Sequence, residues 1–445
     1  MTVSLSWDLE SVAAAVSGTA VGDGQVVVER VSTDSRGIES GTLFVAINGE
    51  RFDGHDYAAD ALGAGATAVV VEHGRSDVVP RVEVADTSRA LLDLAIKRRS
   101  ELEIPVVAIT GSTGKTTTKD LVHAGLTGSW ASPRSFNNEV GVPLTVLSTP
   151  NDATALVIEV GSRGKGHIKW LTEAVRPDVA VITNLGVVHL ETFGSREGLA
   201  DAKYELVEML AGEGTAVLPY AEPALSRGRE GATILFGRVP QADIAVGQVS
   251  LDGEGRPRFD VTIDGQTRDI DLAVPGGHQA DNAAAALGVA VALGADVDAF
   301  VAGMSAAAGS DWRMDIHHGR YTVVNDAYNA NPQSVSAALE TVAAMSGRSI
   351  AVLGVMAELG PVCEVEHREM GRRARDLGFE AVIVVGEDHG YALGAPDLVV
   401  NVADFEDATS ALNSVVQPGD VVLVKASRSA GLEQLAMNLS KDALT

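Results

Sequence analysis

The sequence predicts an α/β protein of several domains, and three observations carry that expectation. Short apolar runs such as VVAIT, ALVIEV, DVAVIT and EAVIVVG alternate with helix-like stretches from Pro105 onward. Near-continuous apolar strands of this kind suit parallel sheets covered on both faces and joined by right-handed crossovers. At 445 residues the chain is too long for one ordinary core, and its 46% hydrophobic content supports packed domains rather than disorder.

Along the chain, the first hundred residues mix β-type runs (GQVVVERVSTDSR, GTLFVAI, ATAVVVE) with helix-like DYAADALGAGA and SRALLDLAIKRRSELE. The first boundary falls just before Pro105. A second region then alternates strands and helices. Within it, residues 242–274 show turn-separated alternation, which predicts antiparallel strands at a sheet edge. An alanine-rich helix from Ala283 to Gly294 follows, and GMSAAAGSDWRMD reads as a linker. From about Gly309 the runs YTVVND, RSIAVLG, EAVIVVG and DVVLVKA predict another parallel-sheet α/β domain. The expected domains are 1–103, 104–308 and 309–445.

Composition narrows the function classes. The net charge is −26 with no Lys/Arg-rich block, which argues against nucleic acid and anionic membranes as partners. Cys363 is the only cysteine, so neither an intramolecular disulfide nor a cysteine-based metal site is available. The start MTVSLSWDLE does not read as a signal peptide, and no apolar run reaches the roughly 18 residues of a membrane span. A soluble cytoplasmic protein without membrane insertion is expected.

The segment VVAITGSTGKTTTKD, residues 106–120, is the strongest motif. A β-type run leads into Gly111, Ser112, Thr113 and Gly114, then Lys115, Thr116 and Thr117 open a helix pattern. That order puts backbone N–H groups and a helix N-terminus around a phosphate. Lys115 can reach the β/γ-phosphates, and the Thr116 hydroxyl can hold Mg²⁺. The strict P-loop would have glycine at Ile109, so this is the shorter G-x-x-G-K-T form. Nucleoside triphosphate binding is expected.

Other candidates depend on this one. Glu159, at the tip of ALVIEV, suits a Mg²⁺ ligand. His189, in HLETFGS past the strand DVAVIT, gains a metal role from the company of Glu159 and Thr116. Lys203, in ADAKYELVEM, reads by spacing as a solvated surface charge. Asn282 either caps the alanine-rich helix or presents an amide to a base. Arg313 either delivers charge to a transferring phosphate or is a solvated linker arginine. DAYNANP, residues 326–332, packs polar side chains into a strand-to-helix turn, which suits capping as well as a ribose, base or peptide site.

Together these segments resemble the Mur ligases, the ATP-dependent amide-forming enzymes of peptidoglycan precursor synthesis. The resemblance rests on TDSR (33–36), GTLFVAINGERFDGHDY (41–57), the P-loop, NNEVGVPLTVL (137–147), HLETFGS (189–195), DAYNANP (326–332), VMAELG (355–360) and VKASR (424–428). Within the family, DAYNANP points to the branch that adds D-alanyl-D-alanine to UDP-N-acetylmuramoyl-tripeptide, and a DNPR-type motif of the third-residue-adding branch is missing.

The resemblance implies a small N-terminal α/β UDP-binding domain, a central P-loop ATPase with a mostly parallel sheet, and a C-terminal Rossmann-like domain. It implies ATP and Mg²⁺ as cofactors, those two peptide substrates, and a monomer. Ser35 and Arg36 would lie near the UDP-sugar, and Asn137 and Asn138 would join the substrate contacts. Glu159 and His189 would serve the metal, together with Lys203 as a carbamate, an anionic ligand where a bare ammonium would repel the ion. Asn282 and Asp326 would contact adenine and ribose, and Arg313 the transferring phosphate. Asn329 and Asn331 would lie near the junction of the peptide substrates, and Tyr328 would join the substrate contacts. Val160, Val188, Gln279 and Val355 depart from the family pattern without removing a phosphate or metal ligand. A ligase with another acceptor, or a catalytically silent nucleotide-binding relative, remains an alternative at this point.

Overall fold

The computed structural model describes residues 5–49, 52–186 and 193–443. It forms two compact units. One comprises Met1–Thr110, Leu126–Val181 and Lys203–Ala216; the other comprises Gly111–Gly125, Ile182–Ala202 and Val217–Thr445. The α/β expectation holds in both.

In the first unit, Arg30–Ser32, Thr42–Val45, Ala68–Glu72 and Arg81–Val84 form a parallel sheet, with Thr19–Val21 antiparallel on its edge. Phe44, Val69 and Val71 pack there against Ala58 and Ala61 of the short helix Ala58–Gly63. Val106–Thr110 pairs in parallel with Leu156–Glu159, which pairs in parallel with Trp130–Ala131. Every residue of Val106–Thr110 and Leu156–Glu159 is buried, as strands covered on both faces require.

The second unit holds a six-stranded sheet in the order Asp315–His317, Thr322–Asn325, Val421–Lys425, Ser349–Leu353, Ala381–Val385, Val399–Val402. All its pairings are parallel except that of Asp315–His317. Strand side chains alternate between faces. Val421 and Leu423 pack with Leu339 and Val342 of the helix Pro332–Ala344, while Val422 and Val424 pack with Leu435 and Leu439 of Leu432–Ala443. This is the Rossmann-like arrangement expected of the C-terminal region.

The same unit contains the expected antiparallel strands, Pro257–Ile263 pairing with Gln266–Asp271, Ile244–Val246 and Ser250–Leu251. The buried alanine-rich helix spans Gln279–Ala292 and packs on the helix Lys115–Gly125. The linker reading is corrected at both ends. Helix Val297–Ser305 runs into it, because Phe300 and Met304 bury one side of that helix, and Asp315 already belongs to a strand.

Candidate active site

The strand Val106–Thr110 ends in a turn at residues 111–114, and the helix Lys115–Gly125 begins at the lysine. Gly111 and Gly114 have φ of 148° and 77°, in the region that favours glycine. A Cβ on Gly111 would collide with Thr183 Oγ1, and one on Gly114 with Asn282 Oδ1. Both glycines are therefore fixed by backbone shape and by close neighbours.

Asn184 clamps this turn. Its carbonyl accepts from Ser112 N at 3.2 Å, its Oδ1 accepts from Thr113 N at 3.1 Å, and its Nδ2 donates to Thr113 Oγ1 at 2.7 Å. Thr183 Oγ1 donates to the Thr113 carbonyl at 2.5 Å, and Gly186 N donates to Ser112 Oγ at 2.9 Å. Lys115 folds its Nζ across the turn onto the carbonyls of Gly111 and Ser112, at 2.8 and 3.3 Å. Thr116 is buried and Thr117 half-buried in the first helical turn. Sequence reasoning missed Thr183 and Asn184; their one signal was a polar pair closing the apolar run DVAVIT.

Asn282 is not the helix cap. It sits inside the first turn of Gln279–Ala292, 5% exposed, with Nδ2 donating to Gln279 Oε1 at 2.6 Å. His278 occupies the cap position without a side-chain capping bond. Gln279, a departure from the family pattern, thus engages the Asn282 amide directly.

The DAYNANP turn is tied by a lysine from the neighbouring strand. Lys425, 2% exposed, donates to Asp326 Oδ2 at 2.5 Å and to the Asn329 carbonyl at 2.8 Å. Asp326 Oδ1 also accepts from Met314 N at 3.1 Å. Asn331 caps the helix Pro332–Ala344 through a capping box with Ser334. The Arg313 guanidinium lies 4.0 Å from the centre of the Tyr328 ring, so it is stacked rather than a solvated linker arginine. Lys425 was missed as a site residue because its partner lies 99 positions away.

In the first unit, Glu159 is 1% exposed and accepts from Asn137 Nδ2 at 2.6 Å. Asn138 Oδ1 accepts from Gly141 N at 2.8 Å, which holds the turn before the helix Gly141–Leu147. The surface reading of Lys203 is overturned: it is 3% exposed on the helix Arg196–Glu208. Helical spacing reported only that helix's own pattern, not what covers it. Arg36, beside Ser35, bonds Asp34 through Nε and Nη2 at 2.9 and 2.7 Å. Those side-chain bonds, with the Arg36 backbone N–H, pull the Asp34 carboxyl down to about 2. His189 lies outside the described residues.

Three sequence profiles match the chain. "Mur ligase family, catalytic domain" covers residues 27–106, "Mur ligase middle domain" 109–290, and "Mur ligase, glutamate ligase domain" 312–428. A curated UDP-N-acetylmuramoyl-tripeptide–D-alanyl-D-alanine ligase of Mycobacterium tuberculosis is 37% identical, over 94% of this chain and 93% of its own length. The crystal structure of MurF from Acinetobacter baumannii superposes with a TM-score of 0.90 at 28% identity, covering 99% of this chain and 100% of that one. MurF from Thermotoga maritima in complex with ADP superposes with a TM-score of 0.84 at 30% identity, covering 93% and 97%. With these matches spanning nearly its whole length, the chain belongs to the Mur ligase family.

Proposed function

We propose that this chain joins D-alanyl-D-alanine to UDP-N-acetylmuramoyl-tripeptide, with ATP converted to ADP and phosphate. The observation that carries this reading is the clamped glycine turn with Lys115 lying across it, in a chain whose similarity to D-alanyl-D-alanine-adding ligases is nearly full-length. The ADP complex of the Thermotoga maritima relative supports the use of ATP. Residues 1–103 would take the UDP-sugar, 104–308 the nucleotide, and 309–445 would complete the ligase as a cytoplasmic monomer.

Amide formation from a carboxylate and an amine is uphill in water, so the carboxylate is activated first. A C-terminal carboxylate oxygen of the tripeptide attacks the γ-phosphorus of ATP, and ADP leaves. Lys115 and Arg313 spread the charge of that transfer. The neutral amine of the dipeptide then attacks the acyl carbon, loses its proton, and inorganic phosphate departs.

Asn282 and Asp326 would contact adenine and ribose, and Ser35 and Arg36 the UDP-sugar. Asn137 and Asn138 would shape the tripeptide side, while Tyr328, Asn329 and Asn331 would border the peptide junction. The donors suit Mg²⁺, a hard cation: a buried carboxylate at Glu159, steadied by Asn137, and the buried hydroxyl of Thr116. Thr116 and Glu159, with His189 and Lys203 as its carbamate, would hold the ion, which when bound neutralises phosphate charge. Burial of Lys203 fits a lysine whose ammonium has been exchanged for a carbamate.

Phosphate release from ATP should require both UDP-N-acetylmuramoyl-tripeptide and D-alanyl-D-alanine, with a matching pentapeptide mass. Running diaminopimelate and lysine tripeptides in parallel identifies the third residue. Release that ignores the dipeptide would favour another acceptor.

A further inference from the structure

We propose that Arg428 binds the C-terminal carboxylate of the acceptor dipeptide and so sets specificity for an acceptor with a free acid end. The inference rests on the reading above, that the turn at residues 326–332 borders the peptide junction.

Arg428 starts from a fixed base. Lys425 and Ser427 are both buried, and Lys425 bonds the Asn329 carbonyl. Ser427 Oγ donates to the Ala330 carbonyl at 3.2 Å and accepts from Ala357 N at 2.9 Å. The Arg428 guanidinium then lies 4.6 Å from the centre of the Trp312 ring and 5.8 Å from that of Tyr328. Trp312 is itself placed by the turn: its backbone has φ of 60°, and its carbonyl accepts from Tyr328 N at 3.2 Å. Arg428 therefore lies against both rings, and one of them, Tyr328, also carries the Arg313 guanidinium.

Stacking engages the face of a guanidinium and leaves its N–H edges pointing outward. Glu433 Oε1 lies 3.3 Å from one edge nitrogen of Arg428, which orients the group, while its side chain stays 53% exposed and reachable. The acceptor's amine must be neutral to attack, so its carboxylate is the one charge it carries into the reaction. A protein of net charge −26 repels that carboxylate unless a local cation receives it. Arg313 would serve the transferring phosphate and Lys425 is buried against Asp326; Arg428 is the exposed cation beside this turn, and its planar fork suits a carboxylate.

The test pairs the acceptor's charge with the residue. Wild type and Arg428→Ala are each assayed with D-alanyl-D-alanine and with D-alanyl-D-alaninamide, whose end is neutral. Wild type should prefer the acid. In Arg428→Ala the KM for D-alanyl-D-alanine should rise about ten- to hundredfold, the range for losing a charge-assisted hydrogen bond. Its kcat and the KM values for ATP and UDP-tripeptide should change less than about threefold, and the preference for acid over amide should vanish. Arg428→Lys should restore part of the preference. An Arg428→Ala enzyme that keeps the full preference overturns the proposal while leaving the ligase reading intact. A wild type that forms no amide with either acceptor overturns both.

Discussion

Two strand-to-helix turns of the same unit, residues 111–114 and 326–332, solve different problems. The first has two positive-φ glycines, and neighbouring side chains occupy the space a Cβ would need. Its shape is held from outside by Thr183 and Asn184, so its backbone can approach an anion closely. The second contains no glycine. It is locked through its own polar side chains and carbonyls, Asp326 and the Asn329 carbonyl onto Lys425 of the neighbouring strand and Asn331 onto Ser334 of the following helix, and it presents the Tyr328 ring beside Arg313. Polar residues crowded into a turn thus indicate either recognition or self-locking, and only their partners distinguish the two.

Six substitutions sharpen this contrast. Lys115→Ala should lower kcat for phosphate release by about a thousandfold or more, with an unchanged melting temperature; near-normal turnover would displace the phosphate site from this turn. Lys425→Met should act on stability instead. Removing one partner of a buried ion pair costs about 3 kcal/mol, readable by urea unfolding, and adding Asp326→Asn should recover part of that loss. Gly114→Ala, strained and set against Asn282, should weaken nucleotide binding about thirtyfold by calorimetry; wild-type affinity would show that the turn has room. Asn331→Ala should lose about 1 kcal/mol of stability through its cap, whereas Asn331→Asp should stay within about 0.5 kcal/mol. If Asn331→Asp is stable but loses turnover, the residue also touches substrate.

Much of the fold was legible because buried parallel strands announce themselves as apolar runs: VVAIT, LVIE and VVLVK are strands buried at every residue. Asp315–His317 was not legible, since three residues give no alternation and its register depends on Thr322–Asn325. The phosphate turn was legible because its chemistry is local, with glycines, lysine and threonine adjacent in sequence. Its clamp was not, because Asn184 reaches Thr113 across 71 positions. Lys203 shows the same limit: a lysine between apolar neighbours looks solvated until the chain that covers it is known.

The most direct test of the account follows oxygen atoms. Tripeptide whose C-terminal carboxylate is labelled with oxygen-18 is incubated with enzyme, ATP and D-alanyl-D-alanine, and the released phosphate is analysed by mass spectrometry. Activation of that carboxylate by the γ-phosphoryl group predicts one labelled oxygen in each phosphate formed. Unlabelled phosphate, released while pentapeptide accumulates, would contradict the acyl phosphate and the role given to the turn around Lys115.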